Sequence, residues 1–177
     1  MPAGTAFAKL TGSTVKPIVA VYIRIPAKEL ERLRTLPEIL PKYDPRVALA
    51  DGRGLDIGRA WDELGCYLDG GAKVPDQGPT VGEVPLPNID ERALWSYVDP
   101  DRVKVIAQAL GDIDGTEFRR EFHLDPEVTA DILPEERTGV IKDRATYLFG
   151  KLKSLALHYA KAAQRGEAML VRIGERV

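Results

Sequence analysis

The clearest pattern of hydrophobic and polar positions lies in the last quarter of the chain. From Ile141 onward, apolar residues recur at alternating spacings of four and three residues, which is the repeat of one helix face. This stripe predicts a long helix over residues 140–165, ended by Gly166. The apolar run at residues 168–173 (AMLVRI) then predicts a closing strand.

Other apolar runs predict further strands. Residues 17–24 (PIVAVYIR) are rich in β-branched side chains and almost continuously apolar, which is typical of a strand covered on both faces. Residues 93–98 (ALWSYV) form a second run, and residues 46–50 give a weaker third. Together with the closing strand, these runs predict a sheet of three to four strands.

Helical stretches separate the predicted strands. Four of them begin at a proline or at an acidic capping residue, namely Pro26, Asp56, Asp99 and Asp114. The order of elements lacks a regular strand–helix alternation. The sequence therefore predicts an α+β fold, in which a small mixed or antiparallel sheet packs against several helices, with the long C-terminal helix followed by a closing strand.

Length and charge restrict the class of protein. The chain has 177 residues and a formal net charge of -2, so we expect one domain over residues 17–177, with residues 1–16 as a loosely ordered N-terminal extension. The lack of a basic excess argues against nucleic-acid binding. A single cysteine fits a reducing compartment, and neither a secretory leader nor a membrane-spanning apolar run is recognisable. We expect a cytoplasmic protein without a membrane partner, and its oligomeric state stays open.

Motifs for catalysis and for cofactors are missing from the sequence. It has neither a glycine-rich phosphate loop nor a recognisable serine or cysteine nucleophile motif. Zinc sites need clustered ligands, whereas Cys66, His123 and His158 stand far apart in the sequence. We therefore expect no metal and no cofactor. Cys66 is expected to be a buried or half-buried apolar side chain, and His158 a surface or edge residue beside the apolar stripe.

One short stretch combines an aromatic side chain with charges. Residues 55–62 (LDIGRAWD) place Trp61 among Asp56, Arg59 and Asp62, and Arg59 can pair with Asp62 on one helical face. These residues are candidates for contacting a ligand or a partner. The alternative, which the helical spacing favours, is that Trp61 anchors the helix to the sheet while the ion pair is solvated.

The same stretch also carries a resemblance to a known family. LDIGRAWDELGCYLDGG resembles the signature helix of the YfbM-like family of small bacterial proteins, a domain of unknown function. The segments PIVAVYIRIPAKELERL, YVDPDRVKVIAQAL and AKAAQRGEAMLVRIG are similar to family segments in the same order, so the resemblance covers roughly residues 17–174. The chain departs at Gly65 and Cys66, where the family commonly has a His–aromatic pair. The resemblance implies an α+β fold and a bacterial cytoplasmic protein, and it implies no reaction.

Three functions remain open at this point. The first is a binding or regulatory protein that acts on another bacterial protein, including a toxin, because residues 70–90 form a long Pro/Gly-rich loop and charges are segregated. The second is a small hydrolase or transferase that uses carboxylates and an arginine. Its candidate residues are Asp56, Asp62, Asp131, Arg59 and Arg119. The third is a small-ligand sensor with its pocket under the 70–90 loop. The missing catalytic motifs rank the binding protein first and argue against an enzyme.

Overall fold

A computed structural model describes residues 16–70, 73–74, 78–87, 89–121 and 144–177. The strands in this part of the chain are β1 (Ile18–Pro26), β2 (Gly54–Asp56), β3 (Val84–Pro85), β4 (Ala93–Val98) and β5 (Glu167–Glu175). The helices are α1 (Ala27–Thr35), a 3₁₀ helix (Pro37–Lys42), α2 (Pro45–Ala50), α3 (Ala60–Gly70), α4 (Pro100–Gly111), α5 (Gly115–Glu121) and α6 (Arg144–Arg165). Apart from Lys16, the expected N-terminal extension lies outside the described residues.

The strands form one antiparallel sheet of five strands, in the order β2–β1–β5–β4–β3. The expected α+β class is confirmed, and the expected number of three to four strands is corrected to five. The two additional strands, β2 and β3, have only three and two residues. Strands this short cannot display the alternation of apolar and polar residues by which a strand is recognised.

Residues 46–50 were expected as a weak strand and instead lie in helix α2. The helix begins with Pro45 in its first turn, and the side chain of Asp44 accepts a hydrogen bond from the backbone N–H of Arg46 at 2.9 Å. An acidic N-cap followed by proline is a strong start signal for a helix. This signal prevails over the β-branched Val47.

The sheet is covered on both faces because side chains of β1 and β5 alternate between two cores. On the face called here the α6 face, Tyr22 and Val171 pack against helices α3, α4 and α6. On the opposite face, called here the α1 face, Ile23 and Leu170 pack against α1, the 3₁₀ helix and α2. Strands buried on both faces explain why residues 17–24 read as a nearly continuous apolar run.

Helix α6 carries the apolar stripe that the sequence predicted. Its buried residues are Leu148, Leu152, Leu155, His158, Tyr159 and Ala162. Residues 140–143, where the predicted helix began, lie outside the described residues. The predicted capping by Asp114 is confirmed, since its Oδ1 accepts hydrogen bonds from the backbone N–H groups of Thr116 and Glu117 at 2.9 and 3.0 Å.

The described part of the 70–90 loop is held against the body by buried tyrosines. The hydroxyl of Tyr22 donates to the carbonyl oxygen of Thr80 at 2.8 Å, and that of Tyr159 donates to the carbonyl oxygen of Pro79 at 3.0 Å. Gly65 on α3 lies beneath this loop, and a Cβ there would come within 3.0 Å of the Thr80 hydroxyl. The missing side chain of Gly65 therefore lets the loop pack closely on α3.

A buried ion pair connects the two central strands. Arg24 of β1 donates through Nη1 to Oε2 of Glu167 at 3.2 Å, and through Nη2 to the carbonyl oxygen of Gly52 at 2.8 Å. The side chains of Arg24 and Glu167 are 6% and 15% exposed. Glu167 therefore neutralises a cation that has little access to water.

We predict that Glu167→Ala lowers the free energy of unfolding by about 3 kcal/mol, because it leaves the Arg24 cation buried without its partner. Urea unfolding of the variant and the wild type measures the loss. Lys104→Ala breaks an exposed pair with Asp101 and, as the control, should leave the unfolding free energy unchanged. The double variant Arg24→Met/Glu167→Leu should recover most of the loss. Equal stability of Glu167→Ala and Lys104→Ala would contradict the prediction.

Candidate functional site

The candidate residues of the 55–62 stretch lie at one corner of the sheet, where β2 leads into α3. Asp56 ends β2, and its Oδ1 accepts the backbone N–H of Gly58 at 2.6 Å. Its Oδ2 lies 3.9 Å from Nε of Arg176. Asp56 was expected to cap α3, but the helix begins later, at Ala60. The carboxylate instead closes the turn that joins strand and helix.

Trp61 is partly buried in the core of the α6 face, as the anchoring interpretation expected. Its Nε1 lies 3.5 Å from the carbonyl oxygen of Ile18, which places the indole against the start of β1. Arg59 is half-buried just before α3, and Asp62 is exposed in its first turn. The first turn of α3 is thus fixed to the sheet through Trp61, with Asp62 facing solvent. A ligand-binding role for these residues stays a prediction.

Arg119 lies on α5 and contacts α6. Its guanidinium stands 5.3 Å from the centre of the Phe149 ring, and its Nε donates to the hydroxyl of Thr146 at 3.3 Å. None of these contacts connects Arg119 with Asp56, Arg59 or Asp62. Asp131 lies outside the described residues, so the proposed grouping of carboxylates with an arginine stays a prediction.

Several ionisable side chains do meet in the interior of the α6 face. His158 Nε2 lies 3.1 Å from the carbonyl oxygen of Tyr22, and Arg24 is close enough for its charge to act on the imidazole. His158 is only 7% exposed, so the expectation of a surface or edge residue is wrong. It follows Leu155 by three positions and precedes Ala162 by four, and both of these are buried on α6.

This interior group holds backbone segments in place. The phenols of Tyr22 and Tyr159, the guanidinium of Arg24 and the imidazole of His158 all meet backbone carbonyl oxygens. Burial raises the pKa of both tyrosines, which keeps them neutral donors. None of these four side chains lines either of the cavities described next. Their arrangement therefore stabilises the fold.

Residues in the described part of the chain line two cavities, which open on opposite faces of the sheet. The first, called here the α1 cleft, has a volume of about 220 Å³ and lies between β1, α1, the 3₁₀ helix and α2. The second, called here the α4–α6 groove, has a volume of about 520 Å³ and runs between helices α4 and α6. Described residues of the 70–90 loop line neither of them. Sequence reasoning missed both, because each combines segments whose proximity only the fold creates.

Three further features of the described residues bear on function: possible metal ligands, membrane-spanning helices and the cysteine. No three His, Cys, Asp or Glu side chains in this part of the chain group together as metal ligands would. None of the described helices combines the length and the hydropathy of a membrane span. Cys66 is exposed, contrary to the expectation of a buried or half-buried residue, because it lies on the side of α3 opposite the buried Leu64.

Comparisons with known proteins find relatives of unknown function. Residues 18–172 match the family model described as Domain of unknown function (DUF1877). Among solved structures, the crystal structure of YfbM, a protein of unknown function from Escherichia coli, is similar with a TM-score of 0.60. The two chains are 17% identical over 88% of this chain and 99% of that chain, so the similarity concerns the fold alone. A search of the curated proteins finds no match. None of these findings indicates a catalytic function.

The buried imidazole of His158 predicts a pH dependence of stability. Burial, helped by the charges of Arg24 and Lys161, lowers the pKa of His158 from 6.5 to about 4. The unfolded chain then takes up a proton near pH 6.5 that the folded chain refuses until about pH 4. We expect His158 to remove up to about 3 kcal/mol of stability as the pH falls through this window, and nothing further below it.

Urea unfolding at a series of pH values from 7.5 to about 4 tests this expectation. His158→Gln keeps a hydrogen-bond donor for the Tyr22 carbonyl and removes the titrating group, so its stability should fall less steeply with decreasing pH. The comparison uses slopes, which an overall loss of stability in the variant does not affect. Identical slopes for both proteins would show that the imidazole is not held neutral.

Proposed function

This chain belongs to the family described as Domain of unknown function (DUF1877), and we propose that it is a bacterial cytoplasmic protein that acts by binding another protein in its α4–α6 groove. Family membership confirms the YfbM-like resemblance of the sequence. The family carries no assigned activity, so the proposal depends on the geometry of this chain. The observation that carries it is the groove itself, the larger of the two cavities.

The shape of the groove suits a helix of a partner. Small residues line it from both helices, which lets another backbone approach closely: Ala107 and Gly111 from α4, Ala156 and Ala160 from α6. Leu157 stands beside them and is 59% exposed. A shallow apolar groove of this kind resembles the surfaces on which amphipathic helices dock by their apolar face.

A positive charge at the groove favours acidic residues beside the apolar face of such a helix. Lys153 of α6 is the charged residue of its lining. Its ammonium group makes no ion pair with any residue in the described part of the chain. An acidic residue beside the apolar face of a docking helix would therefore meet an available cation, which favours partners with acidic amphipathic helices.

We predict that Leu157→Glu weakens this binding, because a carboxylate would then stand in the apolar part of the groove. Leu157 is exposed, so the substitution should leave folding unchanged. The tagged protein is used to capture partners from a lysate of the source organism, and each captured partner is then purified and titrated calorimetrically. Its affinity for Leu157→Glu should be at least about tenfold weaker, as for a central interface residue.

The matched control is Leu94→Glu, because Leu94 is 50% exposed on β4 and does not line the groove. This variant should bind a captured partner as the wild type does. Lys153→Glu should lower the affinity for the same partner, and the loss should be larger at low salt than at high salt. A partner that binds Leu157→Glu and the wild type equally well uses another surface, and that result would overturn the proposal.

A further inference from the structure

The α1 cleft, on the face of the sheet opposite the groove, has an apolar floor under polar walls. Ile23 of β1 and Ala48 of α2 are buried at its base, with Ile39 of the 3₁₀ helix beside them. Its volume of about 220 Å³ corresponds to about seven water molecules at the density of the liquid. The cleft can therefore hold a molecule of the size of a small metabolite, with an aliphatic part on the floor.

Two of the charged groups that line the cleft are already neutralised by neighbours. Asp44 pairs with Arg46 at 2.9 Å and caps α2 with the same carboxylate. Arg53 pairs with Asp51 at 2.7 Å. Both side chains are therefore already engaged in ion pairs, and the charge of Arg53 acts in addition on Glu29.

A carboxylate is held on one side of the cleft in a fixed orientation. The hydroxyl of Tyr43 donates to Oε2 of Glu29 at 3.2 Å, which positions Glu29 and leaves its other oxygen available. Partial burial and the charge of Glu29 raise the pKa of Tyr43, so the phenol remains the donor in this bond. Glu29 thus presents an acceptor for an ammonium group or another donor.

Two cations complete the lining without partners among the described residues. Arg32 lies one helical turn from Glu29 on α1, and Lys42 ends the 3₁₀ helix. Neither side chain makes an ion pair with any residue of the described ranges. Unpaired cations beside a cleft are suited to a carboxylate of a ligand, which Arg can bind through two hydrogen bonds.

We propose that the α1 cleft binds a small zwitterion, an aliphatic α-amino acid, with its carboxylate toward Arg32 and Lys42 and its ammonium group toward Glu29. The apolar side chain would then rest on Ile23 and Ala48. Each charge of the ligand meets an opposite charge, and its aliphatic part leaves water. This binding is independent of the α4–α6 groove, since the two cavities lie on opposite faces of the sheet.

The test uses three probes that share a branched aliphatic group. They are L-leucine, 4-methylpentanoate, which lacks the amine, and 3-methylbutylamine, which lacks the carboxylate. Binding to the full chain is measured by calorimetry and by NMR shifts. Leucine should bind at least about tenfold more tightly than either analogue, since each analogue loses one charged contact. The proposal is overturned if leucine does not bind, or if 4-methylpentanoate binds as tightly as leucine.

Variants then assign the contacts. Glu29→Gln should remove the preference for leucine over 4-methylpentanoate and leave the affinity for 4-methylpentanoate unchanged. A loss of folding would instead lower both affinities. Arg32→Ala/Lys42→Ala should weaken both carboxylate probes at least about tenfold. Lys28→Ala, at an exposed neighbouring position outside the lining, is the control and should bind leucine as the wild type does. Leucine binding that survives Arg32→Ala/Lys42→Ala unchanged would place it elsewhere and refute the proposal.

Discussion

The antiparallel pairing of β1 with β5 is the interaction on which the rest of the structure depends. It runs from Ile18 opposite Glu175 to Pro26 opposite Glu167, and it places both strands at the centre of the sheet. The side chains of these strands supply the floor of both cores, so the helices of each layer pack on this pair. Because it joins segments far apart in sequence, the pairing carries a large loop-closure cost that local contacts do not share. The buried Arg24–Glu167 pair joins the two strands at one end of the ladder.

Much of this fold could be predicted because its largest elements carry complete patterns. Strand β1 shows a continuous apolar run and helix α6 a sustained helical stripe. The strand ends at Pro26, two residues beyond the predicted range 17–24, and the described part of the helix lies within the predicted range 140–165. Short elements could not be predicted from such patterns. The two residues of β3, for example, are too few to show a repeat of apolar and polar positions. Residues 46–50 form a helix and not the expected strand, because the cap by Asp44 and the following Pro45 outweigh the β propensity of Val47.

The candidate sites were less predictable than the fold, because a cavity is a property of tertiary arrangement. Residues 55–62 form a local cluster of charge around Trp61 in the sequence. In the structure Trp61 contacts the core, and Asp56 closes a turn. The α1 cleft brings Ile23, Glu29, Tyr43 and Arg53 together from four segments, none of which has a motif of its own. The expectation that His158 lies at the surface was wrong because the apolar stripe does not show which polar partners the fold supplies. In the structure the imidazole contacts the backbone carbonyl oxygen of Tyr22 in β1.

The distribution of polar partners separates structural from functional candidates in this chain. In the interior, Arg24 and His158 contact backbone carbonyl oxygens, and these contacts fasten strand, turn and helix to each other. At the two cavities the described side chains leave charges unmatched, Arg32 and Lys42 at one and Lys153 at the other. Burial makes an unmatched charge costly, whereas a charge at a cavity mouth costs little and can attract a ligand. The interior polar contacts therefore serve the stability of the fold, and the exposed cations at the two cavities are the charges on which the proposed binding depends.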